Sequence, residues 1–182
     1  GSQHLRGEIV KPPSIRCFPE YLRAAGYYCT NNVKEDYNFN TPAACWDESS
    51  AKAHWRGRKP GQPFFAVFNF MTTHQSRIRF ADDQFAQLTS RLTPAERHKP
   101  QDVPLPPYYP DTPAVRNDVA RMYDLHTAMD YQVADLLAQL EEDGVAGNTI
   151  VFFYSDHGDG MPRHKRWLDH SGLHVPLIVR CP

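Results

Sequence analysis

An acid and a base stand side by side where a buried strand is expected to end. Ile150 to Tyr154 is a continuous run of apolar, β-branched and aromatic residues, which is typical of a strand buried on both faces of a parallel sheet. Asp156 and His157 follow it within the sequence Ser-Asp-His-Gly. Ligands collect beyond the carboxyl ends of strands in open α/β sheets. This carboxylate and this imidazole are therefore candidates for metal binding or catalysis.

Charged and titratable side chains are dense between this run and a second apolar run, Val175 to Val179. The connecting segment contains Arg163, His164, Lys165, Arg166, Asp169, His170 and His174. A connection between two strands does not require so much charge, which favours a functional loop over the alternative of a solvated polar loop.

Two further loops carry candidate residues at predicted strand ends. Lys34 and Asp36 follow the short predicted strand Tyr27 to Thr30, and His74 follows the apolar run Phe64 to Phe70. The carboxyl ends of parallel strands meet at one edge of a sheet. We therefore expect Lys34 and His74 to converge with Asp156, His157 and Lys165.

Apolar periodicity predicts the elements that position these loops. Phe18 to Ala25 fits a short helix with Pro19 in its first turn and Gly26 at its end. From Pro113 through Glu142, apolar residues recur at three- and four-residue steps and predict one long helix. The pattern predicts an α/β fold, a largely parallel sheet flanked by helices, with all four strands in one sheet: Tyr27–Thr30, Phe64–Phe70, Ile150–Tyr154 and Val175–Val179.

Two stretches lack a sustained period. Asn38 to Gly61 is interpreted as a long loop, in which Trp46 and Trp55 either stack on a sugar ring or pin the loop to the core. Pro104 to Pro113 is interpreted as an extended, polyproline-like connection.

The ordered set of motifs resembles the type I sulfatases of the alkaline phosphatase superfamily, and it covers most of the chain. The resemblance rests on Ser155-Asp-His-Gly, Lys165 eight residues after His157, Asp169-His-Ser-Gly, Val175-Pro-Leu-Ile-Val-Arg, Phe18-Pro-Glu-Tyr-Leu-Arg and Pro63-Phe-Phe-Ala-Val-Phe. It implies an alkaline-phosphatase-like sulfatase core, a calcium ion, a formylglycine nucleophile, and a substrate that is a sulfated carbohydrate or an aryl sulfate. Residues 1–182 would then be a partial catalytic domain, without its N-terminal nucleophile and paired-aspartate segment and without its C-terminal region.

The resemblance also implies roles for single residues. Lys34, His74 and Lys165 would be catalytic, Asp36, Arg77 and His174 would bind substrate, and Asp156 and His157 would bind Ca²⁺. Two positions depart from the family pattern, because Asp36 stands where most sulfatases have histidine and Thr73 replaces a common proline. Calcium prefers oxygen ligands, so from chemistry alone His157 would suggest zinc.

The modifiable nucleophile is missing from the sequence. The formylglycine motif is Cys-x-Pro-Ser-x-Arg, or its serine equivalent, whereas Cys17 begins Cys-Phe-Pro-Glu-Tyr-Leu-Arg. We therefore expect the modification only in an N-terminal segment that this chain lacks, and we expect the chain by itself to be inactive. A periplasmic or secreted location is expected if that segment carries a signal peptide. The four cysteines are interpreted as mostly small buried residues, with room for one disulfide.

The amino-acid composition limits the classes of binding partner that the sequence supports. The 182 residues are 41% hydrophobic and 23% charged, with a formal net charge of −1, which gives no electrostatic reason to propose nucleic acid or an anionic membrane as a partner. No apolar run approaches the ~20 residues of a membrane span. The alternatives are a phosphodiesterase or phosphonate hydrolase of the same superfamily, which would use two metals, and an inactive fragment or binding module. The oligomeric state is not predicted.

Overall fold

The computed structural model describes residues 7–182, which fall into two compact units, the first ending at Asn69 and the second running from Phe70 to Pro182. The fold is α/β, with a parallel three-stranded sheet and helices. No helix within residues 7–182 is both long enough and apolar enough to cross a membrane.

The first unit is built on the parallel sheet. Strand β1 (Tyr28–Asn32) lies between β2 (Glu48–Ser49) and β3 (Phe64–Phe68), and all five residues of β1 pair in parallel register with β3. The middle three residues of β1 are buried, as the central strand of a sheet requires. The predicted parallel sheet that contains the strands at Tyr27–Thr30 and Phe64–Phe70 is confirmed for these two strands. Strand β2 falls in a stretch that we expected to be a loop.

Helix α1 (Phe18–Ala24) precedes β1 and follows the predicted pattern. The ring of Phe18 packs edge-on against the ring of Phe65, with centroids 5.4 Å apart, and so joins the helix to β3. Gly26 has φ of +93°, a left-handed conformation that a side chain would strain, and the helix ends just before it.

The second unit is organised around one long helix. Its elements in chain order are α2 (Gln75–Ile78), α3 (Asp82–Leu88), α4 (Pro113–Glu142), a 3-10 turn (Ala146–Asn148), β4 (Val151–Tyr154), α5 (His170–Leu173) and β5 (Leu177–Arg180). Helix α4 has the predicted bounds. One face of it, with Val119, Met122 and Leu125, packs in a core with Ile78 of α2 and Met161 of the loop after β4.

The single four-stranded sheet that we expected is wrong. Strands β4 and β5 form a separate antiparallel pair, with Val151 opposite Arg180 and Tyr154 opposite Leu177. A parallel partner needs a connection that carries the chain back along the full length of the strand. The segment between β4 and β5 contains only the four-residue helix α5, and the chain returns antiparallel.

The burial expected for the Ile150–Tyr154 run is also wrong. Half-buried and exposed residues alternate along β4, where Phe152 and Tyr154 are 61% and 64% exposed, and all four residues of β5 are exposed. A continuous apolar run therefore does not by itself report two buried faces.

A buried carboxylate ties the 89–98 turn to α4. Asp124, which is 5% exposed, accepts hydrogen bonds from the backbone nitrogen of His98 at 2.9 Å and from the guanidinium of Arg97 at 3.3 Å. The same guanidinium donates to the carbonyl and the hydroxyl of Thr89 at 2.8 and 2.7 Å. Removing the carboxylate would leave these donors unsatisfied.

We predict that Asp124→Ala lowers the free energy of unfolding by about 1–3 kcal/mol, the cost of orphaning buried polar groups. Asp118→Ala removes an exposed carboxylate from the same helix and should change it by no more than about 0.5 kcal/mol. Urea unfolding of the two variants measures both values, and equal losses would show that the Asp124 contacts contribute nothing.

Candidate functional site

The side chains of Lys165 and His74 are in contact, although the two residues are far apart in the sequence of the second unit. Nζ of Lys165 lies 3.4 Å from Nε2 of His74. The other ring nitrogen, Nδ1, lies 2.8 Å from the hydroxyl of Ser76 and 3.4 Å from its backbone nitrogen. A backbone N–H can only donate, so Nδ1 accepts the hydrogen bond from the Ser76 nitrogen. Ser76 therefore fixes the orientation of the ring, and Nε2 faces the Lys165 side chain.

The carboxylate of Asp159 holds the loop that presents Lys165. Its Oδ1 accepts a hydrogen bond from the backbone nitrogen of Met161 at 2.8 Å and lies 2.8 Å from Nδ1 of His164. The backbone carbonyl of Asp159 accepts a hydrogen bond from the backbone nitrogen of Lys165 at 3.1 Å. One residue therefore fixes both the start and the end of the turn before Lys165.

Gly160 lets this loop press against α2. A Cβ atom on Gly160 would lie 2.4 Å from Cβ and 2.5 Å from Cα of Gln75, distances that no side chain tolerates. Gln75 is the first residue of α2 and directly follows His74. The missing side chain at Gly160 thus sets how closely the Lys165 loop approaches the His74 backbone.

Backbone strain is concentrated around Lys165. Arg163 and Arg166 have φ of 69° and 72°, and non-glycine residues in this left-handed region cost about 1–3 kcal/mol each. Such strain persists only where surrounding contacts enforce it, and it clusters at functional sites. The observation favours a functional loop over a solvated connection.

Asp156 and His157 form a second pair after β4. Oδ2 of Asp156 lies 3.5 Å from Nε2 of His157. Nδ1 of His157 lies 2.6 Å from the carbonyl oxygen of Gly158, which can only accept, so this nitrogen carries the proton. Nε2 is left with the lone pair that a metal ion needs.

The Asp156–His157 pair fits two positions around one cation. Its atoms are close enough to share an ion, and the Asp156 side chain is 64% exposed. Calcium takes about six to eight oxygen ligands. Within residues 7–182 no group of three or more histidine, cysteine, aspartate or glutamate side chains is arranged to hold a metal, so further ligands would have to be supplied by water, substrate or other protein segments.

Lys34 and Asp36 lie in the first unit, after β1. Nζ of Lys34 is 3.8 Å from Oδ2 of Asp36, and the backbone carbonyl of Lys34 accepts a hydrogen bond from the side chain of Asn31 at 3.2 Å. Asn31, which is 2% exposed, also bonds to the side chains of Ser49 at 3.0 Å and Asn69 at 2.9 Å. This buried amide fixes the loop that carries Lys34.

Arg77 and His174 make local contacts. The Arg77 guanidinium donates to the carbonyl of Met71 at 3.3 Å and lies 4.6 Å from the centroid of the Phe80 ring. The His174 ring packs against the His170 ring, with centroids 4.5 Å apart. Their roles in substrate binding stay predictions, as does the convergence of Lys34 with the residues of the second unit.

Sequence reasoning missed three residues that position the site, namely Asn31, Asp159 and Gly160. The sequence Asp156-His-Gly-Asp-Gly signals a tight turn, and this signal could have singled out Asp159 and Gly160. The partner of Gly160 is Gln75, far away in sequence, and no local pattern connects the two.

All four cysteines are free thiols. Burial raises the pKa of Cys29 to about 11 and that of Cys45 to about 12, and burial also raises the pKa of Cys17. These three thiols are protonated at neutral pH and are therefore weak nucleophiles. The prediction of mostly buried cysteines holds for Cys29 and Cys45, whereas Cys181 is exposed.

Comparison with known proteins gives the family. A sequence model of the sulfatase family matches residues 25–182, which include every candidate residue described above. The chain belongs to the sulfatase family. The three-stranded parallel sheet with its helices agrees with an α/β sulfatase core.

Individual sulfatases show similarity over different parts of the chain. An ulvan-active sulfatase of Formosa agariphila is 44% identical over 96% of this chain and 34% of its own length. Human N-sulphoglucosamine sulphohydrolase is 37% identical over 48% of the chain and 17% of its own length, and an arylsulfatase of Clostridium perfringens is 28% identical over 86% and 36%. The chain thus spans about a third of the length of the Formosa agariphila and Clostridium perfringens proteins.

We predict that Gly160→Ala displaces the Lys165 loop from α2. The steric clash should lower the free energy of unfolding by about 1–3 kcal/mol and shift the NMR signals of the His74 ring. Gly147→Ala is the matched control, because a Cβ atom there would meet nothing within 4 Å. If the two variants give the same stability and the same His74 signals, the described approach of the loop to α2 is wrong.

Proposed function

We propose that this chain forms part of a sulfuric ester hydrolase, in which Lys165 and His74 act together on the sulfate ester bond. The observation that carries the proposal is the 3.4 Å contact between Nζ of Lys165 and Nε2 of His74, in a chain of the sulfatase family. An ammonium and an imidazole in contact suit an anion bound beside them, because a nearby negative charge stabilises the charged form of each.

Lys165 would bind a nonbridging sulfate oxygen. Negative charge on these oxygens repels a nucleophile, and a preorganised cation offsets that repulsion more strongly in a water-poor cleft than in bulk water. The loop contacts through Asp159 and Gly160 fix Lys165 before substrate arrives, so little reorganisation is needed during the reaction.

His74 would handle the proton of the leaving oxygen. In the described arrangement Ser76 fixes the ring through Nδ1, and Nε2 faces Lys165. A sulfate bound beside the ring favours a proton on Nε2, because negative charge stabilises the imidazolium form. The protonated ring can then donate to the departing alkoxide as a general acid.

Asp156 and His157 are the residues that would hold Ca²⁺, through Oδ2 and the unprotonated Nε2. When bound, calcium would neutralise sulfate charge and favour the ionised form of the nucleophile. A formylglycine hydrate would supply that nucleophile. No cysteine or serine of these 182 residues has the Cys-x-Pro-Ser-x-Arg pattern or its serine equivalent, so we place it on another segment of a longer polypeptide.

The substrate class that we propose is a sulfated carbohydrate, with aryl sulfates as laboratory substrates. Support comes from the similarity to a protein named as an ulvan-active sulfatase. A periplasmic or secreted location is part of the same proposal, because polymeric substrates are too large to be taken up intact.

A chimera tests the proposed function. In it, this chain replaces the corresponding third of the Formosa agariphila ulvan-active sulfatase, which supplies the remaining segments. The chimera should hydrolyse an aryl sulfate in a calcium-dependent way. Lys165→Ala should lower kcat by roughly a hundredfold or more, as does the loss of one preorganised oxyanion donor. Lys99→Ala, which removes an exposed lysine of the second unit, should leave kcat unchanged.

Three results would contradict the proposal. A folded chimera that cleaves an aryl phosphodiester but no sulfate ester would favour the alternative function, that of a phosphodiesterase. Equal turnover in the Lys165→Ala and Lys99→Ala variants would remove Lys165 from the mechanism. Calcium-dependent sulfate turnover by the 182-residue chain alone would show that it contains a nucleophile of its own.

A further inference from the structure

A cavity of about 410 Å³ lies in the second unit, next to the loop that carries Lys165. One wall is the face of α4 with Met122 and His126, and a second is the loop after β4 with Asp159 and His164. The third is the proline-rich segment with Pro106 and Tyr109, which composition predicted to be only a connection. Its volume is in the range of small-molecule sites, about 300–1,000 Å³.

Hydrogen bonds hold the aromatic part of the wall in place. The Tyr109 hydroxyl donates to the carbonyl of Pro162 at 2.7 Å, and its ring stacks on the His164 ring with centroids 6.1 Å apart. Both His164 nitrogens are engaged, Nδ1 by Asp159 at 2.8 Å and Nε2 by the Tyr108 hydroxyl at 2.8 Å. The cavity is therefore preformed and would cost little to organise on binding.

Among the side chains that line the cavity, Asp159 and His126 each have a polar atom without a hydrogen-bond partner within residues 7–182. The contacts of the Asp159 carboxylate all use Oδ1, which leaves Oδ2 unbonded. His126 uses Nδ1 for a 2.8 Å contact with the carbonyl of Met122, which leaves Nε2 unbonded. A carboxylate oxygen and an imidazole nitrogen among apolar walls suit a ligand with hydroxyl groups.

The charged groups near the cavity already have partners. Oδ1 of Asp159 contacts the backbone nitrogen of Met161 and Nδ1 of His164, and the guanidinium of Arg163, which lies 4.6 Å from the centroid of the Tyr108 ring, pairs with Asp169 at 3.5 Å. Burial, and then the charge of Asp159, raises the pKa of the Tyr109 phenol, so that group stays neutral at physiological pH. The lining residues include one carboxylate and no lysine or arginine, so the cavity disfavours an anionic ligand.

We propose that this cavity is a subsite for an uncharged sugar ring. The C–H face of such a ring matches the Tyr109 side of the cavity, and its hydroxyls match Oδ2 of Asp159 and Nε2 of His126. Because Asp159 also holds the Lys165 backbone at 3.1 Å, the ring would occupy a position beside the sulfate-binding residues. This inference rests on the proposed function and adds a non-sulfated residue of the glycan to the substrate.

The test is a titration of the isotope-labelled 182-residue chain with the methyl glycosides of glucose, galactose, mannose and xylose, followed by amide NMR. At least one should give saturable shifts at Tyr109, His126 and Asp159. Tyr109→Leu should weaken this binding at least about fivefold, since it removes the aromatic face. Tyr154→Leu, which changes an exposed tyrosine of β4, should bind as the unmodified chain does.

Several outcomes would overturn the inference. These are no saturable shifts with any of the four glycosides, shifts that map away from the cavity, equal affinity in Tyr109→Leu, or binding only of glucose 6-sulfate or methyl glucuronide. If Tyr109→Leu loses the folded amide spectrum, His126→Leu takes its place and should weaken binding to a similar extent. Glycoside binding with an inactive chimera would refute the proposed function alone, and an active chimera without glycoside binding would refute this inference alone.

Discussion

The contact between the Lys165 ammonium and Nε2 of His74 is the interaction on which the candidate site of the second unit depends. It requires a long polar loop to pack closely against a four-residue helix. Gly160 makes that approach possible, and Asp159 fixes the turn that leads to Lys165. The left-handed residues Arg163 and Arg166 show that this arrangement has an energetic cost.

The hydrophobic core secures both sides of this contact. Ile78 lies at the end of the helix that His74 begins, and Met161 lies four residues before Lys165. Both are buried in the same cluster, against the face of α4 that contains Val119 and Leu125. The long helix therefore acts as the common support for two loops that are far apart in sequence. Short polar segments with little structure of their own can be positioned accurately when each is anchored by a buried side chain.

Sequence patterns predicted elements where one physical signal dominates. Helix α4 has the bounds that its apolar period and Pro113 indicated, and Gly26 follows α1 with the positive φ expected of a helix terminator. The Ile150–Tyr154 run was misinterpreted because an apolar run reports neither the partner of a strand nor how many of its faces are covered. Its partner is β5 in an antiparallel pair, and Phe152 and Tyr154 are exposed.

The proximity of two candidate residues was predictable from the sequence, but the contacts that position them were not. Ordered motifs indicated Lys165 and His74, and the structure places them in contact. The approach of Gly160 to Gln75 depends on tertiary packing, which no local pattern encodes. The same holds for the cavity wall at Tyr109, because a proline-rich composition predicts an extended backbone but not what that backbone covers.

A double-mutant cycle in the sulfatase chimera tests the central claim most directly, namely that Lys165 and His74 act as one unit. It compares kcat/KM for an aryl sulfate in Lys165→Ala, in His74→Ala and in the double variant. If the two side chains act together, the double variant should lose at least about tenfold less than the product of the two single losses. Losses that multiply in full would mean that the two residues act independently, and the 3.4 Å contact would then have no part in catalysis.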